Sequence, residues 1–164
     1  GALARINLNK EHLHKNTKKD CKKYLEIFPS DCVFNNNLAQ AIETLHGIDA
    51  SVEILESLIK TLKKEPPINF KIKSGDGVGV IEAPRGTLYY KISIDNSGKI
   101  TKADLVIPTQ QNVIHLEKNI AKYVEELLQK KLNKEEISLK IEEMIRAYDP
   151  CMSCATHFLK IDWE

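Results

Sequence analysis

The sequence predicts an α+β fold, a helical bundle with a small antiparallel β-hairpin or sheet insertion and a C-terminal metal-binding tail. Apolar residues recur at helical spacing in residues 1–67 and again in 113–147, whereas β-branched and aromatic runs fill residues 68–107. Residues 148–164 differ again, because two of the four cysteines and a histidine are concentrated there. We expect these zones to form a single domain, since 164 residues suffice for one domain with a real core.

The first helical zone contains two apolar stripes. Leu38, Ile42 and Leu45 form the first stripe, and Val52, Leu55, Leu58, Ile59 and Leu62 form the second. This pattern predicts two helices with a break near Gly47, the second of which is stopped by Pro66 and Pro67. The strongly charged stretch before them, "NKEHLHKNTKKDCKKYL", predicts a solvated helix.

The central zone reads as strands. "DNSG" (95–98) between "YYKISI" and "KITKADLVI" predicts a hairpin turn. The glycines at 75, 77 and 79 form G-x-G-x-G, but no helical pattern follows them, so they are not a dinucleotide fingerprint. We interpret them as a glycine-rich strand or bulge under close packing.

The second helical zone has two further apolar stripes and a helix-start signal. Leu116, Ile120, Val124, Leu127 and Leu128 form one stripe, and Ile137, Ile141, Met144 and Ile145 form the next. Asn133, with Glu136 three residues later, predicts the N-cap of the second helix. Pro150 is expected to end helical order just before the cysteines.

Composition excludes some classes of function. Hydrophobic residues make up 42% and charged residues 29%, which is ordinary for a globular protein. The formal net charge of +1 gives no support to a nucleic-acid or membrane-surface role. No apolar run approaches the roughly 20 residues of a membrane span. Residue 1 is glycine, and we expect "GALARINL" to be the interior of a longer gene product.

The spacing Cys151-x-x-Cys154-x-x-His157 is dense in soft ligands. Two thiolates three residues apart can face one metal ion, and a tight pair suggests a reducing compartment in which the thiols serve metal or redox chemistry. Four interpretations stay open on spacing alone: half of a zinc site, a thioredoxin-like redox pair, an inert buried pair, or a redox metal centre with thiolate ligands.

Four blocks in order resemble one family. "DPCMSCATH" (149–157) resembles the C-terminal D-P-C-x-x-C-x-x-H signature of nickel–iron hydrogenase large subunits. "GALARINL" (1–8), "EAPRGTL" (82–88) and "VIPTQQN" (106–112) resemble the family's G-x-L-A-R, E-A-P-R-G and V-P-T/S-x-x-N segments. "PTQQN" and "SCATH" are most similar to the cytoplasmic multimeric hydrogenases of methanogens and related archaea. The chain thus resembles the C-terminal portion of such a large subunit.

The resemblance implies a nickel–iron centre whose iron carries carbon monoxide and cyanide. Cys151 would be a terminal nickel ligand and Cys154 a bridge between the metals. Arg85 would be catalytic, with its guanidinium over the open face of the metals and Asp149 paired to it. A fixed, always-charged donor beside a basic thiolate can orient proton transfer. We expect the Arg85 and Asp149 side chains to meet, and to bring Thr109 towards Cys154.

The resemblance also implies surrounding contacts. Pro84 would lie beside the guanidinium, and the backbone there and the hydroxyl of Thr109, next to Pro108, would hydrogen-bond the cyanides. His157 and the carbonyl of Ile107 would bind a structural metal, usually magnesium.

The residues by themselves leave other roles open. Arg85 could be a surface arginine at a turn, Thr109 a helix N-cap, and Asp149 a cap of the cysteine loop. The remaining histidines are expected on the surface or in the core: His12, His14, His46 and His115.

Half of the family's metal ligands have no counterpart in this sequence. The N-terminal R-x-C-x-x-C pair is absent, and Cys21 and Cys32 belong to no C-x-x-C. We therefore expect the chain alone to hold no intact nickel–iron centre. It could be the C-terminal piece of a longer large subunit, a split subunit completed by a partner, or a degenerate homologue without metal.

The resemblance implies reversible oxidation of H2 to protons and electrons in the cytoplasm. Implied partners are the N-terminal half of the large subunit, an iron–sulfur small subunit, further electron-transfer subunits, maturation proteins and an endopeptidase that cuts after His157. The apolar tail "FLKIDWE", if uncut, is expected to obstruct closure of the site. We expect it to be either disordered or docked on an apolar patch through Phe158, Ile161 and Trp163. The alternative is a non-catalytic hydrogenase-like scaffold module or a metal-free maturation-state fragment.

Overall fold

The computed structural model describes residues 1–154 and has an α+β fold, as predicted. Its helices are α1 (Ala2–Asn9), α2 (Lys15–Asp20), α3 (Lys22–Leu25), α4 (Asn36–Thr61), α5 (Pro108–Gln129) and α6 (Lys134–Tyr148). Its strands are β1 (Gly75–Ala83), β2 (Gly86–Ile94) and β3 (Ile100–Val106), and short 3-10 turns lie at Lys10–His12 and Val33–Asn35. His157 and the tail "FLKIDWE" lie outside the described residues.

The charged stretch that predicted one solvated helix is instead broken into short pieces. His14 is the N-cap of α2: its backbone is extended, and its ring nitrogen accepts a hydrogen bond from the amide of Asn16 in the first turn of the helix. Thr17 is fully buried and donates a 2.6 Å hydrogen bond to Asp49 on α4. One face of the stretch is therefore packed against α4, and this packing overrides the local charge pattern.

Helix α4 runs without interruption from Asn36 to Thr61, so the predicted break near Gly47 is wrong. A single glycine costs a helix only about 1 kcal/mol relative to alanine, and the helical residues on both sides outweigh that cost. The helix does end ahead of Pro66 and Pro67, where Leu62 turns to an extended conformation.

Gly47→Ala should stabilise the chain by about 0.5–1 kcal/mol, because alanine is the better helix former and a Cβ at position 47 meets nothing within 4 Å. The matched control is Gly86→Ala. Gly86 has a φ of +138°, and its Cβ would lie 3.3 Å from the Cβ of Pro108. That control should therefore destabilise. Urea unfolding followed by circular dichroism measures both, and a destabilised Gly47→Ala would contradict the continuous helix.

The three strands form an antiparallel sheet in the order β1-β2-β3. The predicted hairpin turn is confirmed: the Asp95 carboxylate accepts hydrogen bonds from the amides of Ser97 (2.8 Å) and Lys99 (3.0 Å) between β2 and β3. The glycines at 75, 77 and 79 lie in β1, which confirms the strand. The expectation of close packing is wrong, since a Cβ at any of the three would have open space around it.

Two apolar clusters hold the described helices together. The first joins α1 to the start of α4 and contains Ala2, Ile6, Leu13, Phe28, Ala39 and Ile42. The second joins α5 to α6 and contains Leu127, Ile137 and Ile141. The predicted start of α6 is confirmed by a complete capping box, in which Asn133 and Glu136 exchange side-chain-to-backbone hydrogen bonds of 2.9 and 3.0 Å.

Within the described residues, every helix is either too short or too polar to span a lipid bilayer.

Candidate metal centre

Arg85 and Asp149 are in contact although 64 positions separate them, as we predicted. Arg85 lies in the tight turn between β1 and β2, whose ends pair at Ala83 and Gly86. Its Nη2 donates a 3.0 Å hydrogen bond to Oδ1 of Asp149, and its Nε donates to the main-chain carbonyl of the same residue. Because two nitrogens of one guanidinium engage one residue, the side chain is held in a single orientation.

The carboxylate of Asp149 is held by two side chains, Arg85 and Gln40. It follows the last residue of α6 in the left-handed conformation (φ 49°, ψ 54°), which aspartate tolerates better than most residues. Its second carboxylate oxygen accepts a 2.8 Å hydrogen bond from Nε2 of Gln40 on α4. The carboxylate thus serves Arg85 and Gln40. Both carboxylate oxygens therefore bind side chains outside the cysteine loop, which argues against the alternative in which Asp149 caps that loop.

Side-chain amides from two helices fix the backbone around this ion pair. Asn36 on α4 accepts from the amide of Leu3 (3.1 Å) and donates to the carbonyl of Ala147 (2.9 Å). Asn112 on α5 donates to the carbonyl of Arg85 at 3.0 Å. No local sequence pattern marks Asn36 and Gln40, so neither was predicted as a site residue. Asn112 lies in the "VIPTQQN" segment, but no role was predicted for it.

Thr109 contacts the cysteine loop. Its side chain is only 4% exposed, and its Oγ1 accepts a 3.2 Å hydrogen bond from the main-chain amide of Cys151. Thr109 lies inside α5, whose N-cap is Ile107 and whose first residue is Pro108, so the alternative of an N-cap at Thr109 is wrong. The Ile107 carbonyl accepts a 3.3 Å hydrogen bond from the amide of Gln111.

Gly86 lets the "EAPRGTL" and "VIPTQQN" segments approach each other. Its φ of +138° is disfavoured for residues with a side chain, and an added Cβ would lie 3.3 Å from Pro108. The glycine after Arg85 is therefore required by the backbone conformation and by the close approach of α5.

Cys151 and Cys154 are joined in a disulfide, whereas we expected thiols kept for metal or redox work. The intervening turn, closed by a 3.1 Å hydrogen bond from the Cys154 amide to the Cys151 carbonyl, brings the Cα atoms to 5.3 Å. The turn and the disulfide together hold both sulfurs at one point. Metal binding requires the thiolate form, so this pair has to be reduced before it can serve as a ligand.

The other two cysteines, Cys21 and Cys32, are free thiols and take no part in the disulfide. Cys21 packs against the first apolar cluster, and burial, followed by the charges of Asp20 and Asp49, raises the pKa of its thiol. Cys32 is exposed. Among residues 1–154, no three His, Cys, Asp or Glu side chains come together in a way that could hold a metal ion.

A hydrogen-bonded aromatic group borders the same region. Tyr148, just before Asp149, receives a 2.6 Å hydrogen bond from Asn119 and lies 2.6 Å from Nδ1 of His115. Burial raises the pKa of Tyr148, with the Asn119 hydrogen bond opposing that shift. These side chains and Arg85 line one cavity of about 410 Å³, so His115, which we had expected on the surface or in the core, borders the candidate centre.

Comparison with known proteins identifies the family. The family model for nickel-dependent hydrogenases matches residues 1–157. The chain is 32% identical to the Sulfhydrogenase 1 subunit alpha of Pyrococcus furiosus, covering 98% of this chain and 37% of that protein. It is 36% identical to the NAD-reducing hydrogenase HoxS subunit beta of Cupriavidus necator, covering 97% of this chain and 34% of that protein.

A solved structure shares the fold. The crystal structure of an NAD+-reducing [NiFe]-hydrogenase in the H2-reduced state superposes with a TM-score of 0.73 at 27% identity, covering 96% of this chain and 35% of that chain. The chain therefore spans little more than a third of the length of the relatives it matches, 37% and 34% in the two proteins above. From the match over residues 1–157 and these identities, we conclude that the chain belongs to the nickel-dependent hydrogenase family.

Proposed function

We propose that this chain is the C-terminal part of the catalytic large subunit of a multi-subunit, cytoplasmic nickel–iron hydrogenase, which oxidises H2 reversibly to protons and electrons. The observation that carries the proposal is the contact between Arg85 and Asp149, next to a cysteine pair whose loop is bound by Thr109. Three sequence segments far apart in the chain meet there. A charged donor, a carboxylate and two sulfurs are the groups that proton transfer at a thiolate-bound metal needs.

The donor set fits this chain's share of such a centre. Once reduced, Cys151 and Cys154 supply two soft thiolates from one turn, which suits nickel and iron carrying carbon monoxide and cyanide. The described residues offer no third ligand nearby, so the remaining thiolates would come from another segment or chain. His157 and the second lone pair of the Ile107 carbonyl would hold the structural magnesium, since the first lone pair accepts from Gln111.

The bound nickel–iron centre would supply heterolytic cleavage of H2. This chain's residues would handle the charge and the proton. Arg85 is held by Asp149, and Asp149 by Gln40, so the guanidinium needs no reorganisation when charge develops at the sulfur of Cys151. Thr109 binds the amide of Cys151 and thereby holds the backbone from which the sulfur projects. In this proposal the Cys151 sulfur holds the proton while Pro84 and Arg85 frame its surroundings.

Large exposed apolar side chains support the proposal that a partner binds this chain and completes the subunit. The distal half of α4, the segment after it, and β1 expose large apolar side chains to solvent. They are Ile48, Val52, Ile54, Leu55, Leu58, Ile59, Leu62, Ile68, Phe70, Ile72, Val78, Val80 and Ile81. Large exposed apolar patches mark interaction sites in proteins. We assign this surface to the N-terminal part of the large subunit; an iron–sulfur small subunit, further electron-transfer subunits, maturation proteins and the endopeptidase are the other proposed partners.

Metal analysis of the native assembly tests the proposal. The chain is tagged, purified anaerobically with reductant from its native cells, and analysed for nickel, iron and infrared bands of bound carbonyl and cyanide. We expect about one nickel and one iron per chain in the assembly, with a protein segment that supplies the second C-x-x-C. The same chain produced alone should hold no stoichiometric nickel or iron, because it supplies half of the ligands.

Two outcomes would contradict the proposal. A native assembly without nickel would favour the scaffold alternative. Stoichiometric nickel and iron with carbonyl and cyanide bands in the chain alone would show that the second thiolate pair is not required.

A further inference from the structure

We infer that Arg5 on α1 is a positioning residue for Arg85: it holds the β1–β2 turn in place, so that the Arg85 guanidinium keeps its contacts with Asp149, two residues before Cys151. This inference rests on the proposed role of Arg85. The Arg5 guanidinium donates hydrogen bonds to Glu43, to Glu82 and to the carbonyls of Ala83 and Pro84. It would act through the backbone that carries Arg85.

One side of the Arg5 guanidinium is anchored on α4. Its Nε and Nη2 each donate a 2.7 Å hydrogen bond to a different oxygen of Glu43, a two-pronged contact between two planar groups. The side chains of Arg5 and Glu43 are only 25% and 23% exposed, so solvent screens this pair less than a surface pair. The hydrogen bond to Glu43 is the largest cause of a raised pKa for Arg5, and the residue therefore stays charged.

The other side of the guanidinium holds the turn. Nη1 donates to the carbonyl of Ala83 at 2.9 Å, and Nη2 donates to the carbonyl of Pro84 at 3.0 Å. Nη1 also pairs with Glu82, whose second oxygen accepts from Thr87 at 2.8 Å across the hairpin. The two residues immediately before Arg85 thus have their carbonyls fixed by one side chain on another element.

Arg5 supplies the hydrogen bonds to the carbonyls of Ala83 and Pro84 in the turn. β1 is exposed along nearly its whole length, and further tertiary hydrogen bonds around the turn go to the Glu82 side chain from the Gly1 amine, to the Arg85 carbonyl from Asn112 and to the Thr87 carbonyl from Gln111. Proline at position 84 donates no backbone hydrogen bond. Loss of Arg5 therefore removes the hydrogen bonds that hold the two carbonyls immediately before Arg85, and the backbone from which the Arg85 side chain projects is less firmly placed.

Nuclear magnetic resonance of the Arg85 side chain tests the inference without any metal. The full 164-residue chain has three arginines, Arg5, Arg85 and Arg146, so its Nε–H signals can be assigned by substituting each in turn. In Arg5→Lys, hydrogen exchange at the Arg85 Nε should accelerate by about tenfold or more, because its bond to the Asp149 carbonyl opens more often. Arg146→Lys is the control, since within residues 1–154 the Arg146 side chain pairs with Glu142 on an exposed face.

The amide of Ile42 in α4 separates positioning from general destabilisation. If that amide exchanges at the parental rate while the Arg85 Nε accelerates, Arg5 positions Arg85. The inference is overturned if the Arg85 signal is unchanged, or if both accelerate by the same factor. Should Arg5→Lys not fold, Glu43→Gln keeps Arg5 but weakens its anchor, and the same selective acceleration is expected.

These readouts need neither nickel nor iron. A native assembly without metal would refute the proposed function, but hydrogen exchange at the Arg85 Nε could still be measured and interpreted. An unchanged exchange rate at the Arg85 Nε in Arg5→Lys would refute the inference alone. In an active assembly, Arg5→Lys should also lower kcat by about tenfold at an unchanged KM for H2. An unchanged kcat beside accelerated exchange at the Arg85 Nε would contradict the proposed role of Arg85 in turnover and leave the positioning by Arg5 standing.

Discussion

Arg85→Lys should lower kcat for H2 oxidation by about two to three orders of magnitude in the assembled hydrogenase, while the chain stays folded. Lysine keeps the positive charge but loses the planar fork. It can reach the Asp149 carboxylate or the Asp149 carbonyl, not both in the observed geometry. The charge would then move among several rotamers beside the cysteine pair. Turnover in an anaerobic assay, with nickel content measured on the same sample, checks this expectation.

The control is Arg146→Lys, on a residue whose side chain is 60% exposed and whose pair with Glu142 lies on one helix. Such surface pairs contribute little, so activity should stay within about twofold of the parent. If Arg85→Lys turns over at the parental rate with a full complement of nickel, Arg85 does not act at the centre, and its pairing with Asp149 has only a structural purpose.

Ile42→Ala should destabilise the isolated chain by about 2–5 kcal/mol, the largest stability effect we expect from one substitution. Ile42 is 2% exposed and lies in the cluster that fastens α1 to α4, so its loss leaves a cavity. This is a large share of the roughly 5–15 kcal/mol that separates most folded domains from their unfolded state. Urea unfolding followed by helical circular dichroism measures the difference.

Ile59→Ala on the same helix is the matched control, because Ile59 is 77% exposed. It should change the stability of the isolated chain by no more than about 0.5 kcal/mol. Equal losses for the two substitutions would mean that the distal half of α4 is packed in the isolated chain, and the proposed docking surface for the N-terminal part of the subunit would then be wrong.

Some features of the chain follow from local sequence alone. The hairpin around Asp95 and the start of α6 at Asn133 were predicted, because turn and capping chemistry act over three or four residues. The continuity of α4 was not predicted, because the pattern indicated a break at Gly47, whereas the small propensity cost of one glycine does not end the helix. The prediction for the charged stretch around Thr17 was wrong for a different reason: the packing of this stretch against α4 is a tertiary contact.

Some residues of the candidate centre were likewise predicted from the sequence, and others were found only in the folded structure. Arg85, Asp149, Thr109 and the two cysteines could be named beforehand, because they stand in short segments that resemble motifs of the family. The amides of Gln40, Asn36 and Asn112 and the guanidinium of Arg5 were not assigned roles beforehand. Their partners lie 27 to 111 positions away along the chain, as with Asn112 and Arg85 or Asn36 and Ala147. A hydrogen bond acts over about 3 Å whatever the separation along the chain, so only the packing of α1, α4 and α5 around the turn could reveal which polar side chains hold the site.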